Sequence, residues 1–356
     1  MKPTTTEELT GIIAEAVASG GELELRGGGS KSEVGSPRRA PIVDMTGFAG
    51  IVDYDPEELV LTARAGTSLV EIEAAVAARG QMLAFEPYGD GATIGGVVAA
   101  GISGSRRLSR GAARDHLLGF KAVSGRGEAF VGGGKVVKNV TGYDLSKVMT
   151  GSWGRLAALT EVTLKVLPAP AMAVSLAARG LEAGAAVALM SGAMGSQGDV
   201  AAAAHEPGLT VLRLEGFGPS VDARGALLRA MAPELEPLGD DDAAGFWAQL
   251  REPLPDQAIL WRISVAPSRA PGVVAALGSA WAMDWAGGLI WSACEDAAAV
   301  RGAAEAAGGH AMLVRAPAAM RAEVPALHPQ PAGVAALEAR VRRAFDPMGV
   351  FETGRF

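Results

Sequence analysis

Three runs in this chain are rich in groups that bind anions and flat rings. The first is Gly27-Gly28-Gly29-Ser30-Lys31, entered through Arg26. Three glycines permit positive backbone torsions and close approach of a ligand. Successive amides can then converge into an anion nest, with the Ser30 hydroxyl as a further donor. A flexible turn is the competing reading. The spacing is neither that of a nucleotide-triphosphate loop nor that of a Rossmann turn. The second run is Thr93-Ile94-Gly95-Gly96, continuing through Gly101, Gly104 and Ser105 to Arg110-Gly111. Here too glycine lets backbone meet a ligand directly. Arg110 and Arg114 can add charge near a diphosphate, whereas Arg106 and Arg107 read as solvated surface. The third run joins Thr141-Gly-Tyr-Asp-Leu-Ser-Lys147 to Gly151-Ser-Trp-Gly154 and Leu159-Thr-Glu161-Val162. A glycine turn before a strand can set backbone groups against a ring edge. Tyr143 and Trp153 are candidate stacking residues, with buried packing the expectation for both.

Groups for acid–base or metal chemistry are scarce. Cys294 is the one cysteine, so the chain forms no internal disulfide and cannot ligate an iron–sulfur cluster by itself. Cys294 reads as a small packed residue. The four histidines show no metal-ligand spacing. His310 and Arg315 lie close in sequence, but i,i+5 spacing on a strand puts them on opposite faces. No catalytic base and no metal ligand is nominated. A formal net charge of −7 without a long basic stripe argues against nucleic acid.

These runs need elements to position them. Thr5 with Glu8 and Ser68 with Glu71 have capping-box spacing. They open helices that stop at Gly20 and Gly80. Residues 22–26, 59–65, 117–123, 128–131 and 159–167 read as strands, with a shorter one at 82–85. Pro168-Ala-Pro170 is the strongest punctuation. The expected division is residues 1–168, a second unit over 171–335, and a helix and tail over 336–356 that return to the first. Within 171–335, strand-like runs at 209–214, 258–265, 288–292 and 311–314 alternate with alanine-rich helices. That spacing predicts α+β layers with an antiparallel sheet. The N-terminus has no signal-peptide pattern, and no window reaches the roughly 20 apolar residues that cross a bilayer. The expected location is cytoplasmic, with partner subunits able to bring the chain to the inner face of the cell membrane.

In order and spacing, the three runs together resemble the flavin-binding domain of the vanillyl-alcohol-oxidase (PCMH) type. Within that superfamily, Gly134-Lys-Val-Val-Lys-Asn-Val-Thr-Gly-Tyr-Asp-Leu-Ser-Lys147 resembles the glycolate oxidase FAD-binding subunit. Gly309-His-Ala-Met-Leu-Val-Arg315 and Phe345-Asp-Pro-Met-Gly-Val-Phe351 do so too. The resemblance covers nearly the whole chain. It implies a two-subdomain FAD-binding domain followed by a smaller α+β cap. Gly27 to Lys31 would wrap the pyrophosphate. Thr93, Gly95, Gly96, Gly101, Gly104 and Ser105 would line the other side, and Leu159 to Val162 would pass the adenine or ribose. Relatives that tether flavin covalently often carry a histidine in the first glycine turn. This turn has none, so non-covalent FAD is expected. The tail reads Glu352-Thr-Gly-Arg355 where relatives typically have Asn-Pro-Gly and a base, so Arg355 is given no cofactor contact.

The implied activity is oxidation of a 2-hydroxy acid such as glycolate. The histidine-rich cap segment of catalytic relatives is missing. The expected role is therefore a flavin-holding, electron-transferring subunit beside a catalytic sister flavoprotein and an iron–sulfur subunit. A self-sufficient FAD-dependent glycolate or D-lactate dehydrogenase and a non-catalytic scaffold are the alternatives.

Overall fold

The computed structural model describes residues 1–87, 90–134 and 143–356. Residues 135–142, within the run that carries the most specific part of the resemblance, lie outside the described residues.

Helix α1 (Thr6–Ser19) starts where the capping spacing puts it, with Thr5 Oγ1 accepting from the Glu8 amide at 3.2 Å. Glu8 turns its carboxylate to the amide of Thr4 at 2.7 Å rather than closing the box on Thr5. Leu9, Ile13 and Ala16 form the buried stripe of α1, and Gly20 ends it in the left-handed region at φ 66°. Strands β1 (Glu24–Arg26) and β2 (Ile42–Asp44) follow as a short parallel pair.

Next come β3 (Ile51–Asp55), β4 (Val60–Arg64) and helix α2 (Leu69–Ala77). Ser68 Oγ caps α2 by accepting from the Glu71 amide at 3.2 Å, and Leu69, Ile72 and Val76 are its buried side. Of the stretch read as a strand at 82–85, only the end of β5 (Gln81–Met82) pairs; Leu83, Ala84 and Phe85 are buried coil. Helix α3 (Ile94–Ala100) then takes up the glycine-rich run that composition alone leaves as a turn. Strands β6 (Leu117–Ser124), β7 (Ala129–Gly133), β8 (Ala157–Lys165) and β9 (Leu167–Pro168) complete this part, with β9 pairing β5.

Among the described residues, five strands form an antiparallel sheet in the order β3-β4-β8-β6-β7. Thr62 and Thr163 sit opposite each other and share a hydrogen bond at 3.0 Å. The apolar faces of α2 and α3 close on this sheet around Leu61, Ile72, Phe85, Ile94, Val97 and Leu164.

The chain then runs through β10 (Met172–Arg179), β11 (Val200–Glu206), β12 (Leu209–Gly216), β13 (Glu236–Leu238), β14 (Leu260–Ser264), β15 (Trp281–Asp284), β16 (Leu289–Ser292) and β17 (His310–Arg315). They form an antiparallel sheet ordered β13-β10-β12-β11-β15-β16-β14-β17. Alanines on β10, β11 and β15 let Phe246, Trp247 and Leu250 pack on the sheet. A larger core around Met190, Leu212, Trp261 and Ile290 also fastens alanine-rich helices to it. The architecture is α+β, as the pattern of elements predicts. No described helix is long and apolar enough to cross a membrane.

The last helix, Ala332–Phe345, is amphipathic but has no fully buried residue. Asp346 ends it and caps the tail, accepting from the amides of Val350 at 2.9 Å and Phe351 at 2.7 Å. Val350 and Phe351 then enter the core beneath α1. The tail thereby reaches back to β1, where the Leu23 amide donates to Val350 O at 2.7 Å.

Candidate flavin-binding site

Strand β1 delivers Arg26 to the first glycine run, and the start of α3 is pinned beside the end of β4 by the Gly95 amide donating to Ala65 O at 2.7 Å. The two meet face to face. A Cβ on Gly28 would lie 1.7 Å from Gly91 O, and one on Gly27 would lie 2.2 Å from Thr93 Oγ1. Backbone bars a side chain at Gly28, and one at Gly27 would have to displace the Thr93 hydroxyl. Gly95 presses α3 onto the end of β4, where an added Cβ would fall 2.6 Å from that of Ala65. Between the two glycine elements lies an open cleft, about 780 Å³ with the solvent at its mouth included. Arg26 through Ser32 form one wall. Thr93, Gly95, Gly96, Ala99 and Ala100 form the other, and Ala157 to Leu159 of β8 lie between them. Glu24, Leu25, Met45, Ala65, Trp153, Gly154 and Arg355 complete the lining.

Carbonyls of the first wall are engaged within the protein. The Gly29 carbonyl is taken by the Ser32 amide at 3.0 Å, and the Lys31 carbonyl by the Val34 amide at 3.2 Å and Arg355 Nη2 at 2.6 Å. With these acceptors engaged inside the loop and tail, repulsion toward a bound anion is reduced. Glu24, the acid of the lining, is held by Arg38 at 2.8 Å and Arg26 at 3.1 Å. Burial pushes its pKa up, but the hydrogen bonds from Arg38 and Arg26 outweigh that and hold it below the usual range. Lys31, Arg26 and Arg355 then leave the cleft cationic in a chain of net charge −7. Burial lowers the Lys31 pKa to about 8. Thr93, at the start of α3, makes no capping hydrogen bond, and its buried Oγ1 has no protein partner among the described residues. Two glycine faces that exclude Cβ atoms, a buried hydroxyl without a partner and a cationic wall fit the pyrophosphate of a dinucleotide.

Of the expected site residues, Arg26, Gly27, Gly28, Gly29, Ser30, Lys31, Thr93, Gly95, Gly96, Gly154 and Leu159 come together in this cleft. The others lie elsewhere. Ile94 and Val162 are fully buried in the core. Glu161 is on the sheet surface, paired with Lys121 at 3.0 Å. Gly101 packs against Gly151, where an added Cβ would sit 2.8 Å from the Gly151 Cα. Both line a separate cleft with Arg107, Arg114, Asp115 and Lys147. Gly111 has φ 87° and abuts Asp115 and His116.

Gly104, Ser105 and Arg110 belong to a joint between the two large sheets, and here the reading of Arg106 as solvated surface is corrected, while Arg107 is exposed as expected. Arg106 binds Glu86 and Glu215, each at 2.8 Å, and Arg213 binds Glu86 at 2.9 Å and Glu215 at 3.2 Å. Arg110 stands 4.0 Å from Glu215. Ser105 Oγ donates to Asp284 Oδ2 at 2.7 Å, and Trp285 Nε1 donates to Gly104 O at 3.0 Å. Arg107 stacks over the Trp285 ring at 4.8 Å. Glu86 and, from the second sheet, Glu215 draw Arg106 out of free solvent, and no local pattern in the sequence announces them.

Tyr143 also departs from expectation, being 93% exposed. Trp153 packs against Phe356 with ring centroids 5.3 Å apart. His310 and Arg315 fall at opposite ends of β17, and the Arg315 guanidinium is taken by the backbone carbonyls of Pro253, Leu254 and Gln257. Sequence reasoning missed Glu24, Arg38 and Arg355. A basic residue some ten positions beyond a glycine turn is a weak local signal for Arg38, and for Arg355 the signal is the glycine and base that the tail keeps without the Asn-Pro turn.

An FAD binding domain family matches residues 1–133. Glycolate oxidase subunit GlcE of Escherichia coli K12 is 39% identical over 352 residues, 96% of this chain and 95% of that protein. A D-lactate dehydrogenase of Archaeoglobus fulgidus is 31% identical over 169 residues, 47% of this chain but 38% of that protein. Among solved structures, alkyldihydroxyacetonephosphate synthase superposes with a TM-score of 0.72 at 14% identity, covering 99% of this chain and 76% of its own. Near-full-length identity to one relative, together with the flavin-type fold, settles the family. The chain belongs to the family of glycolate oxidase subunit GlcE, FAD-dependent oxidoreductase subunits on the vanillyl-alcohol-oxidase type of fold.

Proposed function

We propose that this chain is the flavin-holding subunit of a multi-subunit glycolate (2-hydroxy acid) oxidoreductase, working beside a catalytic sister flavoprotein and an iron–sulfur subunit. On this reading residues 1–168 hold the FAD, 171–335 form the cap, and 336–356 return to brace the first unit. The complex works in the cytoplasm, where partner subunits can bring it to the inner face of the membrane.

The observation that carries the reading is the paired glycine cradle with the Thr93 hydroxyl and the cationic wall around it. Bound FAD supplies two-electron acceptance with one-electron release. The chain's own residues supply the hold. Amides of Gly27 to Lys31 donate to the pyrophosphate, Thr93 Oγ1 gives a further hydrogen bond, and Arg26 and Lys31 balance its charge. Ala157, Ala158 and Leu159 give the cofactor an apolar surface. The described lining contains neither histidine nor cysteine, which supports a non-covalent hold. Support for an accessory role comes from the joint. A substrate carboxylate is commonly held by arginine, yet Arg106 and Arg213 are each engaged by Glu86 and Glu215.

The test is an absorption spectrum of the purified chain from about 300 to 550 nm, then anaerobic glycolate. A flavin spectrum that does not bleach is expected. Bleaching would make the chain a dehydrogenase in its own right. No flavin uptake, even after reconstitution with FAD, would overturn the reading.

A further inference from the structure

The first glycine loop is held in shape from the far end of the sequence. Arg355 donates through Nη2 to Lys31 O at 2.6 Å and through Nε to Val34 O at 2.9 Å. The Ser36 amide donates in return to Arg355 O at 3.0 Å. Gly35 makes the approach possible. It has φ 89°, and an added Cβ would lie 2.5 Å from Arg355 O. The guanidinium also stacks 4.9 Å over the Trp153 ring. Trp153 is held at φ 56°, its amide donating to Ala99 O of α3 at 2.8 Å. One side chain thus touches the loop and the Trp153 turn, and through that turn it reaches α3. These are three parts of one cleft.

The tail does not depend on Arg355 for its own anchorage. Glu352 pairs with Arg155 at 3.3 Å and Arg342 at 2.6 Å, and Asp346 caps Val350 and Phe351. Removing the Arg355 guanidinium should therefore free the loop while the tail stays seated.

We infer that Arg355 is the positioning residue of the cofactor loop: it holds the loop carbonyls out of the cleft and keeps Lys31 at the dinucleotide phosphates. The inference rests on the proposal that the cleft takes FAD, and two readouts separate them. The first is hydrogen exchange on the ligand-free full chain. Arg355→Ala should raise exchange at least tenfold in residues 27–36 while leaving β8 unchanged. The second is FAD affinity from quenching of flavin fluorescence across pH. The alanine variant should bind FAD at least tenfold more weakly. Its affinity should also lose the decline near pH 8 that the buried Lys31 gives the wild type, because a freed loop returns Lys31 to water. Arg355→Lys keeps the charge but cannot span two carbonyls, so it should not restore the affinity. Arg355→Gln, which keeps a planar group over Trp153, replaces the alanine variant if that one folds poorly. Unchanged exchange in residues 27–36, or full recovery with lysine, overturns the positioning role. A wild-type chain that takes no FAD but whose loop loosens in the variant overturns the cofactor part of the inference and the functional reading with it, and leaves the brace standing.

Discussion

Thr93 places a hydroxyl where no described protein group meets it. Its Oγ1 is buried and lacks a hydrogen-bond partner among the described residues, a condition that costs about 1–3 kcal/mol. Thr93→Val keeps the shape and removes the unmet group. The ligand-free melting temperature should hold or rise, while FAD affinity falls by about tenfold, or ~1.4 kcal/mol. Melts with and without FAD, beside a binding titration, check both signs; equal affinity would mean that the hydroxyl does not meet the cofactor. Lys31 makes a second residue-scale case. Burial lowers its pKa from 10.5 to about 8. The unfolded chain therefore binds more protons between those values, and this group's effect on folding stability improves as pH rises through that window. Binding runs the other way. A diphosphate favours charged Lys31, so FAD affinity should fall as pH climbs past about 8, by at most tenfold per unit. Lys31→Met should weaken binding at neutral pH and flatten that slope in titrations from about pH 6.5 to 9.5.

At the scale of elements, α3 shows where local propensity loses to packing. Glycine in a helix costs about 1 kcal/mol relative to alanine, so Gly95→Ala looks favourable from sequence. The structure reverses the sign, because the new methyl would sit 2.6 Å from Ala65 Cβ and 2.8 Å from Ala65 O. Destabilisation of about 1–3 kcal/mol is expected. Gly11 in α1 has nothing within 4 Å of its added Cβ, so Gly11→Ala should stabilise by about 0.5–1 kcal/mol. Urea unfolding of the two variants side by side is the check. The same contrast explains what was legible. Helices α1 and α2 carry their start in Thr5 and Ser68 and their stripe in the spacing of apolar residues, so their sequences announce them. Helix α3 is written in the residues of a turn, because its glycines serve a close approach to Ala65 and the cleft rather than helix formation. Half of the cleft was readable for a related reason. Gly27 to Lys31 and Thr93 to Gly96 act through backbone, and runs of glycine mark that locally. Arg38 and Arg355 act through side chains from loop and tail, where no periodicity points to them.

At the scale of the whole molecule, the two sheets are joined by carboxylates whose pKa values move in opposite directions. The pairs are distant in sequence, Glu86 with Arg213 and Ser105 with Asp284, which is why local pattern left Arg106 at the solvated surface. Asp284 is 2% exposed, and burial raises its pKa from 3.8 to about 6 against the hydrogen bonds from Ser105 and the Trp285 amide. The folded chain therefore binds more protons between 3.8 and about 6. The stabilising share of neutral Asp284 is complete below the lower value and is lost as pH rises through the upper one. Glu86 behaves oppositely. Burial raises its pKa, but the charges of Arg213 and Arg106 prevail and hold it below 4.5. Its contribution is present above that value and lost as pH falls through the folded one. Asp284→Asn keeps an acceptor for the Trp285 amide and a partner for Ser105 while removing the charge. It should raise stability at pH 7.5 by about 1–3 kcal/mol and flatten the profile between pH 4 and 6. Glu86→Gln should lower stability at the same pH by about 3 kcal/mol, because Arg213 and Arg106 lose a shared charge in a partly buried site. Urea midpoints across a pH series read both signs in one experiment. A loss of stability from both substitutions at pH 7.5 would mean that the cluster stabilises the Asp284 charge, so that its folded pKa lies below 3.8 and not above it. The joint would then be held by three acids against Arg106 and Arg213, instead of two acids beside a carboxylate whose charge burial penalises above about pH 6.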